Sequence, residues 1–590
     1  MYFFERTQPI GCRLVPCQKA TTPQKTLQYL GARPVSRLLG MSSTTPSTSS
    51  APSKLLRVLV CGGGNAAHVL VGQLSARGHC VTMLSTFPKE AQGIRKGCDA
   101  NGGVEVRGWG VKGAETIKGR PVAIVSTFAD AFASLRSRQG VRFDLVILAV
   151  PAPHHEHYLQ GLAPYLRKSA ATDARETPKH WNSSADSPDV IPTILCAAVA
   201  QGGFDMAARQ ALSDTGMEKS FNFGEVIVAG LETLPWACRV ARQGAVCEIL
   251  GTKDSVDAAV AVFPFPENLI NYAKSALQTL QIAVGPTPKL KLASGFLGVA
   301  LSNVNAFWHP TLMWHKWRDW DGGTISGPAP LLYENAPDDL ACDAMSAEVD
   351  DVVAAIKARY PATAGENKER KLIDDLSSAR GVHQWFLGAY GDEPGLDTTS
   401  TATMMRTNPA YRGLTHPMRP GTGGDESSVP DFHHRYITED VGFGLVVIRG
   451  IAELCGVATP TIDTVIVWAQ SAGGLSFLTE RGGDDVAELS HPVGEDPGEA
   501  RDAIKPANSE PRRLTCSGAD LTKTRCPQRF GWFDLELFMQ INGYAFAETE
   551  TETETGTETG TKTETKTAEE DAKDTPATGE TERQSSANAA

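Results

Sequence analysis

The sequence predicts an α/β domain built on a parallel sheet, then a mostly α-helical second domain, with disordered extensions at both ends. Three observations carry this. Short Val/Ile/Leu runs alternate with helical segments from Leu55 to about Pro286. From about Lys289 the strand signal fades and apolar residues take up helical spacing, as in "LACDAMSAEVDDVVAAIKARY" and "TIDTVIVWAQ". Both ends are biased in composition, and 590 residues exceed one ordinary core. The expected boundaries are a leader at 1–53, a first domain at 54–290, a second at 291–546 and a tail at 547–590.

The leader carries Arg6, Arg13, Arg33 and Arg37, many Ser and Thr, and one acid, Glu5. That composition suits an organelle transit segment, and equally a disordered leader with Met41 as a second start. Location is therefore open between cytoplasm and organelle. At the other end, "TETETGTETGTKTETKTAEEDAKDTPATGE" has almost no apolar side chains and cannot repay the entropy of ordering. Stretches rich in Ser, Gly, Pro and acids at Lys168 to Asp189, Gly421 to Pro430 and about 482–513 read as insertions, outside which reactive residues should lie.

The first element is the most informative. "RVLVCGGGNAAHVLVGQL", opening at Arg57, runs from a strand through three glycines into a helix. It fits G-x-G-x-x-A as Gly62, Gly64 and Ala67, with Gly63, Asn65 and Ala66 completing the turn. The first glycine permits the bend, the second lets backbone approach a pyrophosphate, and the small third residue lets the helix pack closely with its N-terminus facing the phosphates. With the strand "HCVTML" following, this is an α/β Rossmann domain that binds a dinucleotide. An acid commonly ends that second strand to hold the ribose hydroxyls. Here the position is near Ser85, so spacing does not choose NAD over NADP. Val150 and Pro151 end the strand of "DLVILAVPA" at the cleft mouth, where a nicotinamide would pass or where a strand is simply buried.

Composition excludes several function classes. The formal charge of -12 argues against nucleic acid as partner, and no apolar run is long enough to span a membrane. The 12 cysteines include no CxxC pair and read as reduced thiols. His154, His155 and His157 look like metal ligands but follow a strand into a helix without a second ligand set, so no metal is expected. Small-molecule chemistry remains.

The segments "CGGGNAAH", "AQGGFDMAARQ", "GLETLPWACR", "LSNVNAFWHPTLMW", "RTNPAYRGLTHPM", "PDFHHRYITED" and "RCPQRFG" resemble, in order, those of the octopine/opine dehydrogenase family. The resemblance implies a cleft between a Rossmann and a helical domain, where an amino acid and a 2-oxo acid such as pyruvate are reductively condensed at the expense of NADH. NAD as cofactor follows from the family, with NADP left open by spacing.

Such a reaction needs a cation for a carboxylate, a proton carrier near neutral pH and a group to orient it. Two His-Pro sites compete, His309 and His416. The resemblance selects His309, after Asn303 and Asn305, pairs it with Asp440, and makes Arg435 the substrate-carboxylate anchor, with Gln201 and Thr233 touching substrate from the Rossmann side. Other readings stand beside these. His309 sits among Phe307, Trp308 and Trp314 as a packed histidine would; Asp440 has the place of a helix N-terminal charge; Arg435 and Glu439 have the spacing of a surface ion pair. Asp392 or Glu393 would favour a cationic amino acid, or belong to a solvated loop. The rival functions are a two-domain hydroxy-acid dehydrogenase needing no amine, and a non-catalytic dinucleotide-binding regulatory protein.

Overall fold

In the computed structural model, strand β1 (Arg57–Cys61) turns through the glycines into helix α1 (Asn65–Ala76) and returns as β2 (Cys80–Leu84). The structure describes residues 55–541 except 111–112, 114, 137–141, 174–191, 213–225, 262–268, 339, 361–375, 392, 422–426 and 481–513. The expected leader, the insertion near 482–513, the tail and Asp392 lie outside the described residues, as do most of the other two insertions.

The chain continues through α2 (Pro88–Asn101), β3 (Val104–Trp109), β4 (Glu115–Gly119), β5 (Ala123–Val125), α3 (Phe128–Arg136), β6 (Leu145–Leu148) and α4 (Ala152–Asp173). It then forms β7 (Thr193–Ala197), α5 (Phe204–Leu212), β8 (Val226–Leu231), β9 (Trp236–Arg242), β10 (Val246–Thr252), β11 (Ser255–Ala261), α6 (Leu269–Val284) and β12 (Lys289–Leu292). Eight strands make one sheet in the order β12-β11-β8-β7-β6-β1-β2-β5. All its pairings are parallel except β8 with β11. The central strands β1, β6, β7 and β8 are buried along almost their whole length, which is why they read as unbroken apolar runs.

The strand signal between Leu55 and Pro286 does not all belong to that sheet. A second sheet, β4-β3-β10-β9, is largely antiparallel. Gly244 at φ 71 lies in the connection joining β9 to β10, which is too short for a crossover helix, so this pair must fold as a hairpin.

Beyond β12 come α7 (Gly295–Leu301), α8 (Val304–Trp317) and α9 (Ala341–Arg359), then helices Val382–Tyr390, Val446–Cys455 and Pro460–Gly473. They pack on the sheet through a continuous apolar core in which Phe204 of α5 meets Phe296 of α7. Among the described residues no helix is long and apolar enough to cross a membrane.

Candidate active site

In the eight-stranded sheet the order reverses at β1, whose neighbours β6 and β2 lead in opposite directions. Ligands of open α/β sheets bind in the crevice at such a switch point, beyond the carboxyl ends of the strands. Gly62 follows β1, Val150 and Pro151 follow β6, Gln201 follows β7 and Thr233 follows β8, so these five share that edge.

The glycine turn has the features a dinucleotide requires. Gly62 sits at φ 122, and a Cβ there would lie 2.5 Å from the Ala149 carbonyl oxygen and 2.9 Å from Val150 Cγ1, so only glycine lets the turn press against the end of β6. Gly64 precedes the first turn of α1, and a Cβ on it would enter open space. No side chain caps α1 and no acid lies in its first turn, which leaves the N–H groups of its first turn facing outward for an anion. Asn65 is held by a 2.9 Å bond from the Val240 N–H to its Oδ1, and Ala67 is fully buried where the helix meets the core. These residues fit a bound pyrophosphate.

A buried polar relay lies at the ends of β7 and α8. His309, 7% exposed, donates from Nδ1 to Asp440 Oδ2 at 2.8 Å and accepts at Nε2 from the Tyr333 hydroxyl at 2.8 Å. Gln201 Nε2 donates to the other Asp440 oxygen at 3.1 Å, and Asn303 Nδ2 donates to Gln201 Oε1. Asp440 therefore accepts on both oxygens and fixes the His309 tautomer, with its proton on Nδ1 and a lone pair on Nε2. The Tyr436 ring stacks on His309 with centroids 3.9 Å apart.

Local sequence explains how the relay is assembled. Asn303 occupies the cap position of α8, yet its side chain makes no cap bond and reaches Gln201 instead. Gln201 adopts φ 55, a conformation rare outside glycine and one that clusters at functional sites. Asp440 leads not into an ordinary helix but into a π-helical turn, Val441–Leu445, and likewise makes no cap bond. A Cβ on Gly444 would lie 2.4 Å from Ala306 Cβ, so glycine there lets this turn approach α8 and delivers Asp440 to His309.

Burial moves the His309 pKa below the usual histidine range, opposed by the bond and charge of Asp440. Such an imidazole is neutral near pH 7 and able to take a proton at Nε2. Burial also pushes the Tyr333 phenol well up, keeping it protonated as a donor.

Arg435 does form the ion pair that helical spacing favours, with Nε 3.3 Å from Glu439 Oε2. Its side chain nonetheless stays 46% exposed, leaving the guanidinium open to a second anion. Glu439 Oε1 also accepts from the Ala152 N–H at 2.9 Å, which anchors the Arg435–Asp440 segment to the end of β6. Thr233 is buried in the turn after β8, and none of the relay's hydrogen bonds among the described residues involves it. His416, the rival histidine, accepts from Trp317 Nε1 at 3.2 Å as part of the packing. His155 is spent on the Val150 carbonyl oxygen and Arg525.

Sequence reasoning did not identify Tyr333, Tyr436 or the role of Glu439. Tyr333 lies in a loop without periodicity, so no local signal marks it, whereas Tyr436 and Glu439 are inside the "RYITED" segment that the resemblance had singled out.

The chain is similar to known proteins along most of its length. Residues 292–472 match the family model described as NAD/NADP octopine/nopaline dehydrogenase, alpha-helical domain. The chain is 31% identical to an octopine dehydrogenase from Mizuhopecten yessoensis, over 82% of this chain and 98% of that one. It is 28% identical to a tauropine dehydrogenase from Arabella iricolor, covering 81% and 98%. A solved octopine dehydrogenase with NADH and pyruvate superposes with a TM-score of 0.57 at 28% identity, covering 83% of this chain and 99% of that one.

Proposed function

The chain belongs to the octopine/opine dehydrogenase family, and on that premise we propose that its buried relay carries out NADH-dependent reductive condensation of an amino acid with a 2-oxo acid such as pyruvate. The observation that carries the reading is the His309–Asp440 pair, closed at 2.8 Å between residues 131 apart in sequence.

When bound, the dinucleotide supplies the hydride. The turn Gly62, Gly63, Gly64, Asn65 and Ala66 would hold its phosphates, with Ala67 letting α1 pack close behind it, and Val150 and Pro151 would shape the path of the nicotinamide. The free edge of Arg435 takes the oxo-acid carboxylate in its planar fork. His309 Nε2, once released by the Tyr333 hydroxyl that bonds to it here, takes in turn the two protons that the attacking amino group gives up and passes each to the carbonyl oxygen, which leaves as water, with an imine remaining for the hydride. Asp440 stabilises the charged imidazole during that interval. Gln201, engaged at both ends of its amide, serves this reading as the holder of Asp440, and Thr233 faces substrate from the end of β8. The dinucleotide-binding domain is 54–290 and the helical domain 291–546, in a cytoplasmic enzyme acting on small molecules.

The test is NADH oxidation by the purified protein with pyruvate alone and with pyruvate plus a panel of amino acids. The expected rate appears only with an amine and collapses in His309→Ala. Amine-independent oxidation refutes the condensation.

A further inference from the structure

The strand that should end in a ribose-binding acid ends instead at Leu84 and is followed by Ser85. A carboxylate stands at the glycine turn all the same. Glu90, in the first turn of α2, has its Oε2 2.5 Å from the Ser85 hydroxyl, which donates to it. A Cβ built on Gly63 would lie 2.2 Å from the same oxygen and 2.7 Å from Glu90 Oε1, so both oxygens rest over the middle glycine of the phosphate turn.

Acids are favoured in the first turn of any helix, but that preference is satisfied with the side chain in solvent. Here the side chain folds back onto the turn. Ser85, fully buried, aims it, and no Lys or Arg among the described residues pairs with it. A carboxylate with a free acceptor edge is suited to the two hydroxyls of a ribose. It repels the extra dianion that a ribose 2′-phosphate would bring to the same place.

We propose that Glu90, positioned by Ser85, is the group that selects NADH over NADPH, doing from the first turn of α2 what an acid at the end of β2 does in other dinucleotide folds. This deepens the reading of the chain as an NADH-dependent enzyme and rests on it. It also explains why spacing along β2 does not reveal the choice: the acid lies five residues beyond the strand-end serine and returns through space.

The experiment measures equilibrium binding by intrinsic tryptophan fluorescence and by thermal shift, with NADH, NADPH, ADP-ribose and 2′-phospho-ADP-ribose, on the full chain and its Glu90→Gln and Ser85→Ala variants. Wild type binds NADH and ADP-ribose more tightly than their phosphorylated counterparts. Glu90→Gln weakens NADH roughly tenfold, as loss of a charge-assisted bond implies, and does not weaken NADPH, so the preference falls by at least that factor. Ser85→Ala, which keeps the charge and removes its aim, shifts the ratio in the same direction by less, and serves as the readout should Glu90→Gln fail to fold. Tight NADH binding with an unchanged ratio in the variants overturns the role of Glu90 alone. Failure of wild type to bind either dinucleotide overturns the cofactor reading beneath it.

Discussion

Replacing Asp440 by Asn tests the relay most directly, because shape is kept while charge and hydrogen-bond polarity change. Asp440 is fully buried and accepts from both His309 and Gln201. An amide offers one acceptor and one donor where the site needs two acceptors. Turning its oxygen to His309 sets two NH₂ groups against each other at Gln201, whose own oxygen is already taken by Asn303. Turning it the other way forces the His309 proton onto Nε2 and removes the lone pair the reaction needs. Loss of the charge-assisted bond alone is worth about 1.5–3 kcal/mol, or roughly 10- to 150-fold in rate. Inversion of the tautomer brings the total toward the roughly 10⁴ seen when a buried His–Asp pair is so treated in serine proteases. The assay is kcat/KM for amine-dependent NADH oxidation as a function of pH. Asp440 raises the His309 pKa against burial, so its neutralisation moves the acid limb to lower pH as the whole profile falls. A loss below tenfold with an unmoved limb, in a variant that melts like wild type, refutes the reasoning.

Two further outcomes follow from the geometry. Gly62→Ala, with its Cβ against Ala149 oxygen, lowers the melting temperature and abolishes dinucleotide binding, whereas Gly64→Ala, whose Cβ meets open space, melts normally and loses only NADH affinity; fluorescence titration and calorimetry separate the two. Burial and then the Lys316 charge hold His416 down to about 4, below its unfolded value, so its neutral form adds stability above pH 6.5 that is lost as pH falls through that window. The loss amounts to about 3 kcal/mol and shrinks in His416→Gln, which urea melts at pH 7 and pH 4.5 would register.

The glycine turn was legible because its signal is local: an apolar strand, a bend that only glycine allows, and a helix start, all within one stretch of chain. The sheet that holds it was legible for the same reason, since buried parallel strands read as apolar runs. The second sheet was not, because β3, β4, β9 and β10 also alternate and nothing in the alternation says which sheet a strand joins. His309 and Asp440 carried no sign of one another, and only the family resemblance paired them. Gln201 was expected against substrate, but the structure turns its amide to Asp440 and Asn303. That orientation depends on its φ of 55, which sequence does not display.

The "RCPQRFG" segment near the chain's end acts at the same edge of the sheet. Arg525, 2% exposed, donates to the carbonyl oxygens of Ala200 and Ala152 and contacts His155, clamping the residues just after β7 and β6. Glu439 accepts from the Ala152 N–H as well, so Gln201 and Asp440 are each one residue from a bond that ties the first domain to the helical half of the chain. A relay whose members come from distant segments must be held in this way to keep its 2.8 Å contacts. The stretch near 482–513 interrupts the chain just before that clamp, yet Leu478–Glu480 and Leu514–Cys516 pair antiparallel on either side of it. The chain thus leaves and re-enters at one paired point. Closing a chain of different length between those two strands changes the cost only by a term logarithmic in its length, so a change of length there leaves Arg525 and the site it braces in place.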